Sequence, residues 1–307
     1  MRTLCLGLLC LLALLLSGAC SERAERGERL EVFVSIPPQA YFVERVGGEH
    51  VSVSVLVAPG QEPHTFRATP KQVVALSRAR LYFTVGVPFE ERLVPKLEGR
   101  EGLTVVDSIQ GIERHAMGEH GHDHGADHEG AEEPRGHDDG GAAPDPHVWL
   151  SPPLIKIQAQ NIAEALIAAD PGNAEAYREG LEAFTQEIDA THARLTAVLA
   201  PFRGQAFYVF HPAFGYFADA YGLKQEAVEA EGKAPTPKRL SELMRRARDD
   251  GVRIIFVQPQ FDKRAARSVA DAIGGAVVPM DPLAGDVLKN LQDMASAVEM
   301  SLKGNAE

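Results

Sequence analysis

Three isolated histidines share a local setting that is suited to binding a metal ion. His64 in EPHTF, His147 in DPHVW and His211 in FHPAF each lie beside a proline, in a loop or at the end of a predicted strand. In a parallel α/β sheet, such positions line the ligand crevice outside the carboxyl ends of the strands. Imidazole nitrogen is a common zinc ligand. We therefore expect the fold to bring these three side chains together at one metal site.

The spacing of the three histidines argues against several classes of enzyme. The sequence has no HExxH or HxxxH pair on one predicted helix, unlike a zincin-type protease. All three cysteines lie within the first twenty residues, so the remaining chain offers neither a thiolate ligand nor a cysteine nucleophile. A metallohydrolase would also need an open zinc position beside a glutamate base, and no local motif supplies them.

The fourth metal ligand is expected to be an oxygen donor. Asp281 in MDPLAGD follows the last predicted strand and fits this role, although it would equally serve as a cap for the helix that follows. Asp262 and Asp286 lie near predicted helix starts and are better explained as caps. His50, at a turn, and His192, inside a predicted helix, are expected to face solvent.

A tract over 113–146 holds most of the histidines and most of the net charge. Residues 115–146 contain nine acidic residues and one arginine, in a chain whose net charge is −12. Because the tract has no apolar period, we predict a disordered loop inserted in the first half of the fold. Its alternating His, Gly and Asp residues predict secondary, weak metal binding. The six histidines concerned are His115, His120, His122, His124, His128 and His137.

The first twenty residues predict export. Arg2 is followed by an apolar run over 4–16 and by SGAC, which is typical of a secretory signal and too short for a membrane span. A cysteine after small residues resembles a bacterial lipobox, so Cys20 is predicted to be lipidated, with 21–30 as a tether. The alternative is ordinary cleavage near this point, which would release a soluble protein. Either outcome places the chain in the periplasm or at the cell surface.

Strands and helices alternate on both sides of one long predicted helix. Apolar residues recur at three- and four-residue steps over 172–200, a segment without proline, which predicts a helix of roughly 40 Å. On either side, β-branched runs alternate with helical segments, as expected for parallel sheets with helices on their faces. We expect two α/β lobes, 31–171 and 201–307, each a mainly parallel sheet flanked by helices, joined by this rigid linking helix.

Six segments, taken in order, carry a resemblance to a known family. They are SIPPQAYFVERVGG, PGQEPHTFRATP, DPHVWLSP, FHPAFGYFADAYGL, EGKAPTPKRL and MDPLAGD. They resemble the successive signatures of the ZnuA-like, or cluster A-I, solute-binding proteins, which are the extracytoplasmic receptors of zinc and manganese ABC importers. The resemblance covers essentially the whole chain after the leader. It implies two α/β lobes that are linked by a long rigid helix.

The resemblance also implies a set of metal ligands. Matched by motif, these are His64, His147 and His211, with a carboxylate from Asp281. Some zinc-binding members use three histidines with water, or with a carboxylate beside the first histidine. Pro63 occupies that place in this chain, so Asp281 or water is left as the fourth ligand. Manganese-specific members have a carboxylate where this chain has His211, which favours zinc.

These observations predict a receptor that captures Zn(II) between its lobes and hands it to an ABC importer made of a membrane permease and a cytoplasmic ATPase. Zn(II) is the expected transported ligand, with Mn(II) less favoured. No catalysis is expected, because a closed four-ligand site leaves no position for an activated water. Two alternatives stay open: a periplasmic zinc buffer or chaperone that acts through the His-rich tract, and a manganese-importer receptor. We expect a monomer, anchored by lipid, that does not bind nucleic acid.

Overall fold

Two parallel four-stranded sheets form the centres of two lobes. The computed structural model describes residues 29–97, 99–117, 143–229, 237–249, 251–261, 267–268, 270–272 and 274–304. The predicted leader, its Cys20, most of the tether and tract residues 118–142 lie outside these ranges. Asp262 and five of the six tract histidines also lie outside them, namely His120, His122, His124, His128 and His137.

The first lobe is built on a sheet of four short strands. These are β1 (Leu30–Val34), β2 (Val51–Val55), β3 (Leu81–Thr84) and β4 (Thr104–Asp107). Their order is β2-β1-β3-β4, and every neighbouring pair is parallel. In this register Val32 pairs with both Val53 and Leu81, so β1 is an inner strand with a neighbour along each of its edges. All four carboxyl ends therefore meet at one edge.

Three of the four helices described in the first lobe, all except Glu90–Leu93, have a proline in their first turn. The four helices are α1 (Pro37–Gly47), α2 (Pro70–Leu76), α3 (Glu90–Leu93) and α4 (Pro152–Ala169). Thr69 caps α2, because its hydroxyl accepts a hydrogen bond from Gln72 N and Pro70 occupies the first turn. A short 3-10 helix, Val148–Leu150, precedes α4 and is fully buried.

One long helix, α5 (Ala174–Leu199), connects the lobes and is flanked by the 3-10 turns Pro171–Asn173 and Ala200–Phe202. It packs against α4 and α1 of the first lobe and also against the helix Val287–Gly304 of the second. Gly180 makes the contact with α1 possible, since a Cβ at this position would lie 2.3 Å from the Val46 carbonyl oxygen. The helix is therefore a fixed part of the first lobe as well as a connection to the second.

The second lobe repeats the same arrangement with shorter connections. Its strands are β5 (Ala206–Val209), β6 (Lys224–Ala227), β7 (Ile254–Val257) and β8 (Ala276–Pro279), and its helices are α6 (Gly215–Tyr221), α7 (Pro237–Asp249) and α8 (Val287–Gly304). The strand order is β6-β5-β7-β8, all parallel. Helix α6 ends at Gly222, whose φ of 67° is the left-handed conformation that glycine adopts without strain.

The cores of the two lobes differ in continuity. One apolar core runs from the first sheet through α5 to α6 and α8, while a smaller core around Tyr208 and Ile255 lies within the second lobe. The predicted fold class, two parallel-sheet α/β lobes joined by a long helix, is confirmed. No helix in the described part of the chain combines the length and the hydropathy needed to span a bilayer.

The ends of the predicted disordered tract differ from expectation. Ala116 and Pro144 form an antiparallel bridge, with Met117 N donating to Ala143 O and Asp145 N donating to His115 O. These backbone hydrogen bonds join the residues on either side of 118–142. The tract as predicted, 113–146, is therefore too long at both ends, because its terminal residues find main-chain partners in each other.

Candidate metal centre

Three imidazole rings meet where the carboxyl ends of the two sheets face each other. One ring nitrogen from each of His64, His147 and His211 lies within 4.8 Å of the others. The ring centroids are 5.7 Å apart for His64 and His147, 5.1 Å for His64 and His211, and 5.5 Å for His147 and His211. The three residues that the sequence singled out are thus brought together, two from the first lobe and one from the second.

Each histidine is held through its main chain. Glu62 accepts hydrogen bonds from His64 N and Thr65 N, both at 2.7 Å, which fixes the turn that follows β2. His147 N donates to Asp145 Oδ1 at 2.9 Å, just before the 3-10 helix. His211 follows β5, and the side-chain amide of Gln258 forms two hydrogen bonds with its main chain. Gln258 Oε1 accepts from His211 N, and Gln258 Nε2 donates to His211 O.

Two of the three rings are also held by buried carboxylates. His147 Nδ1 lies 2.7 Å from Asp145 Oδ1, and His211 Nδ1 lies 3.0 Å from Glu229 Oε2. All four of these residues are buried. A carboxylate accepts hydrogen bonds, so in each neutral ring the proton sits on Nδ1 and the Nε2 lone pair is free for a metal. This is the carboxylate–histidine arrangement that orients ligands in metal sites.

The local environment keeps two of the imidazoles, those of His64 and His147, neutral. Burial, together with the neighbouring His147 and His211 rings, lowers the pKa of His64 to about 3. Burial also lowers the pKa of His147, against the opposing effect of Asp145. Since a metal ion binds only the unprotonated nitrogen, these shifts leave His64 and His147 ready to accept a cation at neutral pH.

Both lobes wall the cavity around the histidines. Val87 and Trp149 come from the first lobe, and Gln260, Phe261, Pro282 and Leu283 come from the second. Trp149 packs against His147 and donates its indole N–H across the cleft to Pro282 O at 2.7 Å. Phe261 stacks on His211 with ring centroids 4.9 Å apart. The apolar walls exclude water from the rings and strengthen electrostatic interactions within the site.

Asp281, the predicted fourth ligand, is not brought into the group of three nitrogens. Its Oδ1 instead accepts hydrogen bonds from Gln260 Nε2 at 2.8 Å and from Leu283 N at 2.9 Å. The reason is local, because the turn after β8 directs the Leu283 N–H onto this oxygen. A role for Asp281 as a direct ligand stays a prediction. Asp286 accepts from Lys289 N, which agrees with the cap that the sequence predicts.

The remaining described histidines lie away from the cavity. His50 packs edge-on against Tyr177, and His192 approaches the Tyr221 hydroxyl. Both side chains are half-buried, whereas the sequence predicted that they face solvent. His115, predicted as a weak secondary ligand, lies at the base of the tract with its Nδ1 3.4 Å from Asp219 Oδ2. Its backbone N–H donates to the Tyr216 hydroxyl, which in turn donates to Asp145 O.

The donor set fits a zinc ion. His211 Nε2 is buried and has no hydrogen-bond partner among the described residues, as expected for a nitrogen that awaits a cation. Three imidazoles from non-adjacent parts of the chain suit a tetrahedral Zn²⁺ site, for which oxygen-preferring ions such as Mn²⁺ are a poorer match.

Several functional residues escaped the sequence reasoning. Asp145 lies two residues before His147 in DPH, so a search for carboxylates near each histidine would have found it. Glu229, Gln258 and Gln260 carry no such signal, because they reach the site only through the sheet order of the second lobe.

Comparison with known proteins agrees with this geometry. The family model for the zinc-uptake complex component A, periplasmic (ZnuA), matches residues 32–300. The chain belongs to the ZnuA family. A crystal structure of ZnuA superimposes with a TM-score of 0.79 at 35% identity, covering 90% of this chain and 100% of that one. The resemblance on which the sequence reasoning relied is therefore confirmed.

Two curated relatives extend the comparison. The high-affinity zinc uptake system protein ZnuA of Bacillus subtilis is 28% identical over 268 residues, 85% of this chain and 80% of that protein. The zinc-binding lipoprotein AdcA of Streptococcus pneumoniae is 26% identical over 306 residues, 98% of this chain and 59% of that longer protein. As a member of the ZnuA family, the chain is a metal-binding solute receptor and not an enzyme, and the ZnuA family binds zinc.

Proposed function

We propose that this protein captures Zn²⁺ in the cleft between its lobes and delivers it to the membrane permease of an ABC importer, which a cytoplasmic ATPase drives. His64, His147 and His211 are the proposed ligands. One observation carries the proposal: three imidazoles from both lobes converge within 4.8 Å, in a cavity with mostly apolar walls. Because zinc is the transported cargo, the site has to bind the ion tightly and also release it to the permease.

Zinc is proposed over manganese on ligand chemistry. The converging atoms are nitrogens, and no carboxylate oxygen belongs to the group among the described residues. Nitrogen-rich, four-coordinate sites favour Zn²⁺, whereas Mn²⁺ prefers more oxygen donors and a higher coordination number. A competition titration tests this point: Mn²⁺ should displace Zn²⁺ only when it is in large excess.

Capture and release are proposed to follow from the division of the site between the lobes. Asp145 and Glu229 hold two rings in the binding orientation before any metal arrives, so little ordering entropy is lost on capture. The indole hydrogen bond from Trp149 to Pro282 O and the Tyr216 hydroxyl bond to Asp145 O close the cleft beside the ligands. A permease that separates these contacts would withdraw His211 from the other two histidines and free the ion.

The proposed location is extracytoplasmic, with the chain anchored through lipidated Cys20. The signal-like residues 1–20 and the lipobox-like SGAC support it, as does the similarity to a lipoprotein. The proposed organisation is a tether over 21–30, lobes at 31–171 and 201–307 and the linking helix between them. Metabolic labelling with a fatty acid tests the anchor, because the Cys20→Ser variant should lose the label and appear in the soluble fraction.

Calorimetry on the chain without its leader tests the site. Deletion of 118–142 should leave one tight zinc site, whereas His211→Ala should abolish it. Tight binding in His211→Ala together with lost binding in the deletion would move the function to the tract. Uptake of radioactive zinc by cells that lack this protein tests delivery: wild type should restore uptake and His211→Ala should not.

A further inference from the structure

Two residues that line the same cavity each have a buried polar atom without a partner among the described residues. Among the residues that the structure describes, four buried side-chain polar atoms lack a hydrogen-bond partner: Arg45 Nε, Gln158 Oε1, His211 Nε2 and Gln260 Oε1. His211 and Gln260 both line the cavity that contains the three histidines. A buried acceptor without a donor costs free energy, so a native protein retains one where something else satisfies it.

The orientation of the Gln260 amide is set by Asp281. Gln260 Nε2 donates to Asp281 Oδ1 at 2.8 Å, and Leu283 N donates to the same oxygen at 2.9 Å. An ionised carboxylate only accepts hydrogen bonds, so the amide nitrogen has to face Asp281 and the amide oxygen has to face away from it. Asn290 Nδ2 holds the main chain of this turn by donating to Asp281 O at 2.7 Å. The turn therefore presents Gln260 Oε1 in a single orientation.

We propose that Gln260 Oε1 is the fourth donor to the captured ion and that Asp281 positions it. The inference rests on the proposed function, because it concerns the same metal site. An amide oxygen completes three imidazoles to a tetrahedral N₃O set, which suits Zn²⁺. Asp281 then acts through Gln260 as a positioning residue, in agreement with its two hydrogen bonds and its place outside the group of nitrogens.

A neutral fourth donor matters for a protein that has to give up its cargo. With three imidazoles and one amide, every donor atom is uncharged, and the buried carboxylates Asp145 and Glu229 balance the charge of the ion from behind the rings. A directly bound carboxylate would add a full opposite charge in a medium of low dielectric constant and would slow release.

Substitution of Gln260 by methionine tests the donor. Gln260→Met keeps the length of the side chain and removes both polar atoms. It should weaken zinc binding roughly 10- to 100-fold in a chelator competition. It should also shift the visible absorption bands of the Co²⁺-loaded protein, which report the donor atoms directly. Gln158→Met is the matched control, because Gln158 is a buried glutamine whose Oε1 also lacks a partner but which lies in α4. Gln158→Met should leave affinity and spectrum unchanged, and the same result for Gln260→Met would overturn the inference.

Two substitutions of Asp281 separate positioning from direct ligation. In Asp281→Asn the side-chain oxygen still accepts from Gln260 and Leu283, so most of the affinity should remain. Asp281→Leu should weaken zinc binding as much as Gln260→Met, and the double variant should be no weaker than either single one, because both act through one oxygen. If Asp281 is itself the ligand, Asp281→Asn will lose as much as Asp281→Leu, and the effects of Asp281→Leu and Gln260→Met will add.

The experiment also separates this inference from the proposed function. Wild-type protein that binds no zinc would overturn the function and the inference together. Loss of binding in the histidine variants with full binding in Gln260→Met would overturn the inference alone. Thermal unfolding of each metal-free variant shows whether it is folded, and the Co²⁺ spectrum of a folded variant answers the question even where affinity falls.

Discussion

The two lobes contribute to the metal site in different ways. The first lobe supplies two of the three histidines and packs against the linking helix α5 through α4 and α1. The second lobe supplies one histidine, but surrounds it with Glu229, Gln258 and Phe261. A single ligand thus receives more support than either ligand of the other lobe. The site teaches that the lobe with a single ligand fixes that ligand most closely, through main-chain, ring-nitrogen and stacking contacts.

Removing one ligand from each lobe tests most directly whether both lobes contribute to the metal site. His147→Ala and His211→Ala should each weaken zinc binding by roughly 1000-fold, because a site with two imidazoles loses a bond that water replaces poorly. Isothermal titration calorimetry with a competing chelator measures the loss. His50→Ala is the control and should bind as wild type. A large loss in His147→Ala with none in His211→Ala would show a site that belongs to the first lobe alone.

The first lobe also contains a buried acid whose titration should affect its stability. Glu90 accepts hydrogen bonds from Ser35 Oγ and from the N–H groups of Val85 and Gly86, yet burial raises its pKa to about 7. The folded protein therefore holds this proton more tightly than the unfolded chain, whose carboxyl titrates near 4.5. The stabilisation is complete below about pH 4.5 and is lost as the pH rises through about 7.

Replacement of Glu90 should remove that pH dependence. In Glu90→Gln the free energy of unfolding should lose the decline between about pH 5 and 7, which amounts to roughly 3 kcal/mol for a shift of this size. Urea unfolding at a series of pH values measures it. Glu91→Gln, an exposed neighbour in the same helix, should keep the wild-type profile. A decline of equal size in Glu90→Gln would assign the pH dependence to other groups.

The support of His211 can be weakened without removing a ligand. Glu229→Gln keeps the size of the side chain but no longer guarantees that Nδ1 carries the proton, so zinc affinity should fall by roughly 10- to 100-fold. Asp145→Asn makes the matched change behind His147 in the first lobe. NMR of the imidazole nitrogens reports the tautomer in each variant. Unchanged tautomers and affinities in both would leave the carboxylates with a purely structural role.

The smallest expected effect lies at the contact between the lobes. Trp149→Phe keeps an aromatic ring beside His147 and removes the hydrogen bond to Pro282 O. Because a single hydrogen bond contributes about 0.5–1.5 kcal/mol, zinc affinity should fall by no more than roughly tenfold. Calorimetry has to measure this, since Trp149 is the only tryptophan of the chain. A loss of zinc affinity as large as that in His211→Ala would mean that the hydrogen bond from the Trp149 indole to Pro282 O controls closure of the whole cleft.

The sequence predicted the elements whose side chains are buried, and it missed those that are held by pairing alone. Strands such as β1 and β7 are rich in β-branched and aromatic residues, which is the pattern that predicts a buried strand. Strand β6 reads KQEA and has no apolar pattern, because it lies at the edge of its sheet and is fixed by its hydrogen bonds to β5.

The residues of the metal site divide in the same way, into those that a local sequence pattern predicts and those that depend on strand pairing. The three histidines were found because each follows a predicted strand or a proline-containing loop, and their positions at the sheet edges brought them together. Asp281 was expected to reach the metal from the same kind of position; its Oδ1 accepts a hydrogen bond from Leu283 N at 2.9 Å, and its role as a direct ligand stays a prediction. Glu229 reaches His211 because β6 lies beside β5. No local pattern encodes that neighbourhood, which depends on a strand that the sequence did not predict.

The bridge between Ala116 and Pro144 has a consequence for how this chain can diverge. Its hydrogen bonds join the residues on either side of 118–142, so the main chain beside Asp145 and His147 is held by partners within the described residues. Closure entropy grows only with the logarithm of loop length, about 0.6 kcal/mol for each doubling. The insert is therefore free to be lengthened, shortened or rewritten by mutation while the ligand geometry stays under separate selection.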